Sequence, residues 1–324
     1  MRAVLCKAYG PPSSLVLEEV PSPQPKAKEV VIGVKACGVN FPDTLIIQGK
    51  YQFKPSFPFA PGSEVAGTIL RKGSDVNHFN VGDRVIASVG NGGFAEEVVA
   101  AGDRLIPIPQ GMDYVPASAF LMTYGTSLHA LQDRGHLKKG ETLLVLGAAG
   151  GVGIAAIEIG KAMGAHVIAA ASSDDKIALC REHGADQAIN YATENLRERL
   201  RELTSDRGVD VVYDPVGGPY SEPALRAMAW EGRFLVVGFA AGEIPKIPLN
   251  LVLLKSCDIV GVFWGAFLQR DPQKTKTHLS ELVGLYTSGK LKPAVTATYP
   301  LEGVPQALVE VMERRAKGKI VIVP

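Results

Sequence analysis

Hydrophobic and polar positions follow two different periods along the chain. Over residues 1 to about 120 the apolar runs are short and tend to alternate with polar residues. Examples are Glu29-Val-Val-Ile-Gly-Val-Lys35, Val65-Ala-Gly-Thr-Ile-Leu70 and Arg84-Val-Ile-Ala-Ser88. Such runs predict strands. Proline and glycine punctuate them at Pro21, Pro23, Pro25, Pro55, Pro58, Pro61-Gly62, Gly82-Asp83 and Gly92-Gly93. Turns this frequent predict an all-β, barrel-like module rather than helices.

From about Gly140 the pattern changes. Leu143-Leu-Val-Leu146 is a continuous apolar run, as expected of a parallel strand covered on both faces. Helical spacing follows through Ile154, Ile157 and Lys161, and His166-Val-Ile-Ala-Ala-Ala171 reads as a second strand. Further strands are predicted at Gln187 to Asn190, Val209 to Tyr213, Arg233 to Gly238 and Asp258 to Val262. Helices are predicted at Lys176 to His183, Leu196 to Thr204, Ser221 to Ala229 and Gln273 to Ser288. Alternation of this kind builds an α/β, doubly wound parallel sheet of the Rossmann type. The tail from Leu291 returns to β texture and ends in Gly318-Lys-Ile-Val-Ile-Val-Pro324. It is expected to rejoin the N-terminal module. The predicted domains are therefore 1–122, completed by about 291–324, and 123–290.

Composition narrows the function classes. The chain has 324 residues, 46% hydrophobic and 21% charged, which suits a two-domain globular protein. A net charge of +1 supplies no field that would gather nucleic acid or an anionic membrane. The most apolar stretch, Thr142 to Ser172, is broken by glycines, Glu158, Lys161 and His166, so no membrane span is expected. The start, Met-Arg-Ala-Val-Leu-Cys-Lys, has no secretion-signal pattern. Cys6, Cys37, Cys180 and Cys257 are scattered without metal-ligand spacing. Together these imply a reduced, cytosolic protein, or a mitochondrial one that has lost a presequence.

Chemistry first shows at Gly147-Ala-Ala-Gly150-Gly151-Val-Gly153, between the first buried strand and a helix. Glycines there permit a tight turn and close backbone approach to a pyrophosphate. The helix start presents N–H groups and a positive dipole end to that anion. The backbone at Ala149, Gly150, Gly151 and Val152 is the expected contact. The competing reading is a glycine-rich turn with no ligand. Dinucleotide sites for NAD place an acid at the end of the second strand, about 20 residues on. This chain has Ser172 and Ser173 there, with Lys176 one helical turn later. A neutral hydroxyl pair with a cation suits a 2′-phosphate, and hence NADPH. Tyr191, after the third strand, could cover the same phosphate. The alternative uses Asp174 or Asp175 as the ribose acid, with Lys176 a solvated helix residue. The turn Asp214-Pro-Val-Gly217 ends the fourth strand, where such sheets bind ligands.

The two-part layout resembles the medium-chain dehydrogenase/reductase superfamily, and within it the zinc-free, zeta-crystallin-like quinone oxidoreductases. The resemblance covers essentially the whole chain. It rests on Cys37-Gly-Val-Asn-Phe-Pro-Asp43, Pro58-Phe-Ala-Pro-Gly-Ser-Glu-Val-Ala-Gly67, Val81-Gly-Asp-Arg-Val85, Gly92-Gly-Phe-Ala-Glu96, Thr123-Tyr-Gly-Thr126, the glycine turn and Gly318-Lys-Ile-Val321. It implies a GroES-like β-barrel domain, a Rossmann domain, a cleft between them for nicotinamide and substrate, and a homodimer. Zinc relatives take their catalytic metal from three separated ligands. The matching positions here hold Asn40, Ser63 and approximately Ala119, so no metal is expected. Without that Lewis acid, alcohol oxidation gives way to reduction of an electron-poor acceptor.

By the same resemblance Asn40, Asp43 and Tyr51 face the nicotinamide and substrate. Asn40 would hydrogen-bond substrate oxygen or cofactor ribose, Tyr51 would donate to the oxygen that gains charge, and Asp43 would position neighbours. The structural alternatives are a turn cap at Asn40, a helix start at Asp43 and a surface aromatic at Tyr51. Thr123 and Thr126 would meet nicotinamide or phosphate, or cap a helix. Gly238, Phe239, Ala240, Phe263 and Trp264 would flank the nicotinamide, the last two being equally suited to core or interface. Lys319 would approach the cofactor from the tail. His129, His136 and His183 have no triad or metal context. The expected activity is NADPH-dependent reduction of a quinone or enone. The competitors are an enoyl-thioester or alkenal reductase, and a non-catalytic, crystallin-like or RNA-binding nucleotide carrier.

Overall fold

The computed structural model describes residues 1–324. The chain divides into two compact units, Met1–Met122 with Pro293–Pro324, and Thr123–Lys292.

The first unit is built on a seven-stranded sheet. Its hydrogen-bonded order is Val295–Tyr299, Lys319–Ile322, Glu29–Gly38, Glu64–Lys72, Arg84–Ser88 and Leu105–Pro107, with Glu97–Ala101 also on Glu29–Gly38. A separate pair joins Arg2–Leu5 to Val16–Glu19. The central strand Glu29–Gly38 is buried at nearly every position, because it has sheet partners on both edges and a core against it. Gly67 is required at its crossing with that strand: a Cβ there would lie 2.2 Å from the Gly33 carbonyl oxygen. Two expectations need correction. The β module also contains the short helices Phe41–Ile46 and Tyr114–Ala117, the first started by Asp43 accepting the Asn40 N–H at 2.8 Å. The tail is not β throughout, since the helix Val304–Met312 joins its two strands. Buried Val304, Ala307 and Leu308 give it a helical stripe.

The second unit is a six-stranded parallel sheet flanked by helices. Numbered by chain order within this sheet, its strands are Thr142–Leu146, His166–Ala171, Gln187–Asn190, Val209–Asp214, Met228–Val236 and Asp258–Gly261. Their spatial order is third, second, first, fourth, fifth, sixth. The order therefore reverses between the first and fourth strands, and ligands of such sheets bind outside the carboxyl ends at that point. The fifth strand begins at Met228, earlier than expected. It displaces the end of the preceding helix to Arg226 and turns through Glu231 at φ +57°. Gly238 lies beyond its end.

All four cysteines are buried and unpaired. Burial raises the pKa of every one of them, that of Cys180 to about 12. No helix is long and apolar enough to cross a membrane.

Leu144 is fully buried in the first strand of the parallel sheet. Leu144→Ala is expected to cost about 2–5 kcal/mol in chemical denaturation. A loss below about 1 kcal/mol would contradict a packed core at this strand.

Candidate functional site

At the carboxyl end of the first parallel strand the chain makes its glycine turn and enters the helix Gly151–Ala162, with Gly150 as N-cap. Gly147 adopts φ +57°, and a Cβ on Gly153 would sit 2.5 Å from the Ala148 carbonyl oxygen. These two glycines are therefore demanded by the turn itself. The helix N-terminus has backbone N–H groups with no intrahelical acceptor, as required for an anion cradle. Ser127, fully buried on the helix Leu121–Leu128, donates to the Val152 carbonyl at 2.9 Å and meets the Tyr213 hydroxyl at 3.0 Å. It ties the cradle to the segment carrying Thr123, which is buried, and Thr126, which is half-buried.

The second strand delivers Ser172 and Ser173 to the start of the helix Asp174–Glu182. The Lys176 ammonium lies 3.3 Å from the Ser172 hydroxyl. Both rival acids are engaged locally, Asp174 by the Asn190 amide at 2.8 Å and Asp175 by the Ser173 hydroxyl. Tyr191 packs beside Tyr220, ring centroids 4.3 Å apart.

At the end of the fourth strand the Asp214 carboxylate accepts the Val216 and Gly217 N–H groups at 2.8 and 2.9 Å and the Ser221 hydroxyl at 2.6 Å. Burial raises the Asp214 pKa, and these three donors oppose that rise. The turn they shape is held in turn by the loop after the fifth strand. Ala240 N–H donates to the Pro215 carbonyl and Ala241 N–H to that of Val216. Gly217, Gly238, Phe239 and Ala240 are thus brought together. Phe263 and Trp264 separate in role: Phe263 is 56% exposed, whereas Trp264 is buried over Gly125, where a Cβ would lie 2.5 Å from its ring.

The first unit gathers a second polar group. Strand register sets Glu64 and Val321 opposite Gly38. Asn40, two residues past Gly38, therefore meets Glu64, and Lys319 is brought to the same place. The Lys319 ammonium donates to the Val39 carbonyl at 2.8 Å and to Asn40 Oδ1 at 2.7 Å, and it lies 3.6 Å from Glu64. Its hydrogen bonds thus lie inside this unit. Glu64 also accepts the Met122 N–H at 2.9 Å. Burial raises the Glu64 pKa, and Lys319 pulls it back. Asp43 is fully buried and pushed up to about 7, chiefly by desolvation, against the lowering effects of the Asn40 N–H and Lys319. Tyr51 is half-buried against the same core, and burial followed by the Asp43 charge raises its pKa.

The Asn40 cap and the Asp43 helix start both exist, so the structural alternatives for these residues are realised alongside any site role. Sequence reasoning missed Glu64, Ser127 and Lys319's pairing. Glu64 stood within the quoted Pro61-Gly-Ser-Glu motif, and a charge inside an apolar strand was its available signal. His129 pairs with Asp133 at 2.7 Å and His183 with Glu158 at 2.6 Å, both as local packing pairs.

Zinc does not fit the donor set. Asn40 is committed to Glu64, Gly38 and Lys319, Ser63 offers one hydroxyl and Ala119 offers nothing. No group of three or more His, Cys, Asp or Glu side chains is arranged to hold a metal ion. The Lys319 ammonium beside Asn40 would also repel a second cation.

The chain is similar to known proteins over nearly its whole length. A family model described as a zinc-binding dehydrogenase matches residues 151–283, and one described as an alcohol dehydrogenase GroES-like domain matches residues 26–110. "Quinone oxidoreductase-like protein 2" of Bos taurus is 40% identical over 99% of this chain and 92% of its own length. A probable oxidoreductase from Mycobacterium abscessus has a crystal structure that superposes with a TM-score of 0.91 at 37% identity, over 100% of this chain and 99% of that one. Escherichia coli quinone oxidoreductase complexed with NADPH superposes with a TM-score of 0.94 at 29% identity, over 100% of both chains. On these similarities the chain belongs to the zinc-free quinone oxidoreductase family of the medium-chain dehydrogenase/reductase superfamily.

Proposed function

We propose that this chain uses NADPH to reduce a quinone or a similarly activated double bond by hydride transfer. The observation that carries the reading is the glycine turn at the sheet's switch point, with Ser172 and Lys176 together at the next strand end. The E. coli relative complexed with NADPH supports the same cofactor. We assign the pyrophosphate to the backbone of Ala149, Gly150, Gly151 and Val152, and the 2′-phosphate to Ser172, Ser173, Lys176 and Tyr191. We assign the nicotinamide end to Thr123, Thr126, the Gly217 and Gly238–Ala240 turns and Phe263. Trp264 supports this end from beneath, through Gly125.

When bound, NADPH supplies the hydride; the chain binds, orients and balances charge. Asn40 and Tyr51 are assigned to the reacting end. Tyr51, like any phenol, keeps its proton at neutral pH, and burial and the Asp43 charge raise its pKa further, so it can donate to an oxygen gaining charge. An ionised Asp43 nearby would oppose that charge, whereas a protonated Asp43 would not.

We also propose a homodimer formed on the sixth-strand edge of the parallel sheet. Leu249, Leu253 and Leu254 are 76%, 78% and 65% exposed on the helix Leu249–Lys255, which precedes an edge strand paired on one side only. A second copy would cover both the apolar surface and the unpaired edge.

Three measurements test these statements. Titration should give a lower Kd for NADPH than for NADH, and Lys176→Ala should shrink that preference by about tenfold. Equal affinities in the parent protein would refute the phosphate assignment. The rate of quinone reduction should fall as pH rises through about 7, as Asp43 ionises, and Asp43→Asn should flatten this step. An unchanged profile in that variant would remove Asp43 from the chemistry. Light scattering should report a dimer for the parent and a monomer for the Leu253→Asp, Leu254→Asp double variant.

A further inference from the structure

Glu158 is a carboxylate buried in the apolar helix Gly151–Ala162. Its pair with His183 is one arm of a larger arrangement, in which donors from three separate segments converge on it. The Tyr124 hydroxyl donates to Oε2 at 2.7 Å, the Lys292 N–H donates to the same oxygen at 3.0 Å, and His183 Nδ1 lies 2.6 Å from Oε1. Burial and then the Glu158 charge raise the Tyr124 pKa well above its ordinary value, so the phenol stays the donor. A buried carboxylate seldom adds stability over an apolar residue of similar size. What three fixed donors supply is orientation.

The first arm acts on the helix Leu121–Leu128. Tyr124 and Ser127 are three residues apart and so share one face. Both reach the helix Gly151–Ala162, Tyr124 at Glu158 and Ser127 at the Val152 carbonyl. Two attachments on one face fix the rotation of Leu121–Leu128 about its axis and its slide along its neighbour. Thr123 and Thr126 each precede a pinned residue, so they form the adjacent stripe, about 100° round the helix. Their direction follows from the pinning. The second arm acts on the helix Asp174–Glu182. His183 is its C-cap, Ser173 is its N-cap, and Ser172 and Lys176 lie at that same N-terminal end.

We propose that Glu158 is a positioning residue for the nucleotide. Through Tyr124 it aims Thr123 and Thr126 at the nicotinamide end, and through His183 it holds the helix whose start receives the 2′-phosphate. The assignment of those two ends rests on the function proposed above.

Two probes separate the arms in the full-length protein. NADPH carries both ends, and adenosine 2′,5′-bisphosphate carries the 2′-phosphate without a nicotinamide. Tyr124→Phe should raise Kd for NADPH about tenfold, the worth of one buried hydrogen bond, and leave the bisphosphate within about twofold. His183→Ala should raise both constants by about threefold. Glu158→Leu should combine the two losses, about thirtyfold for NADPH and about threefold for the bisphosphate. Glu158→Gln should recover most of that loss. Its oxygen can accept from Tyr124 and Lys292, and its amide can donate to His183 in the other tautomer.

A purely structural Glu158 gives a different result: melting temperatures fall while both constants, taken per folded site, stay at parent values. That outcome would overturn the proposal. So would a Tyr124→Phe variant that weakens both probes equally, or a Glu158→Gln variant as weak as Glu158→Leu. If Glu158→Leu fails to fold, Tyr124→Phe and His183→Ala still decide, since each removes one arm and leaves the carboxylate two donors. A parent that binds neither probe would overturn the functional reading and this inference with it. A parent that binds both probes but reduces no quinone would overturn only the reading's chemistry, because the binding split is read without turnover.

Discussion

Lys319 carries a positive charge into the interior of the first unit, and the surrounding chain is arranged to make that tolerable. An isolated buried ammonium is costly, so it needs acceptors and a counter-charge. The Val39 carbonyl and Asn40 Oδ1 are the acceptors, and Glu64 is the counter-charge at 3.6 Å. Glu64 would itself be stranded without the Met122 N–H and the Asn40 amide. Removing one member exposes the others, so the group behaves as one unit rather than as separate contacts. Asp43 lies at its edge. It feels Lys319 but has no direct ion pair, and burial therefore wins for its carboxyl.

The second unit solves a different problem with fewer charges. Its ends of strands are shaped by backbone: Gly147 and Gly153 make the first turn, and Asp214 gathers two N–H groups and a hydroxyl to make the second. Ser127 connects the first of these to the helix before it. The result is a set of backbone-shaped turns at the carboxyl ends of adjacent central strands.

Much of this was legible in the sequence, for identifiable reasons. Buried parallel strands read as continuous apolar runs, and glycines demanded by sterics stand out at fixed spacing, so the sheet and the Gly147–Gly153 turn were visible from residue type. The helix Val304–Met312 was hidden by a short apolar stripe between two strands rich in β-branched residues. The Asn40–Lys319 bond joins positions 279 apart, and no local pattern announces such a pairing. Glu64 was marked only as a charge inside an apolar strand: its partners follow from the register of Glu29–Gly38 against Glu64–Lys72, which alternation alone does not specify.

The buried cysteines carry a chemical consequence. Quinones and enones are electrophiles that alkylate thiolates, and a protein handling them is exposed to modification by its own substrates. All four thiols here are shielded from solvent and held protonated by burial. Since the thiolate is the reactive form, both access and nucleophilicity are suppressed at once. The fold thereby shields the chain's thiols from Michael acceptors, without any cysteine having to be absent from the chain.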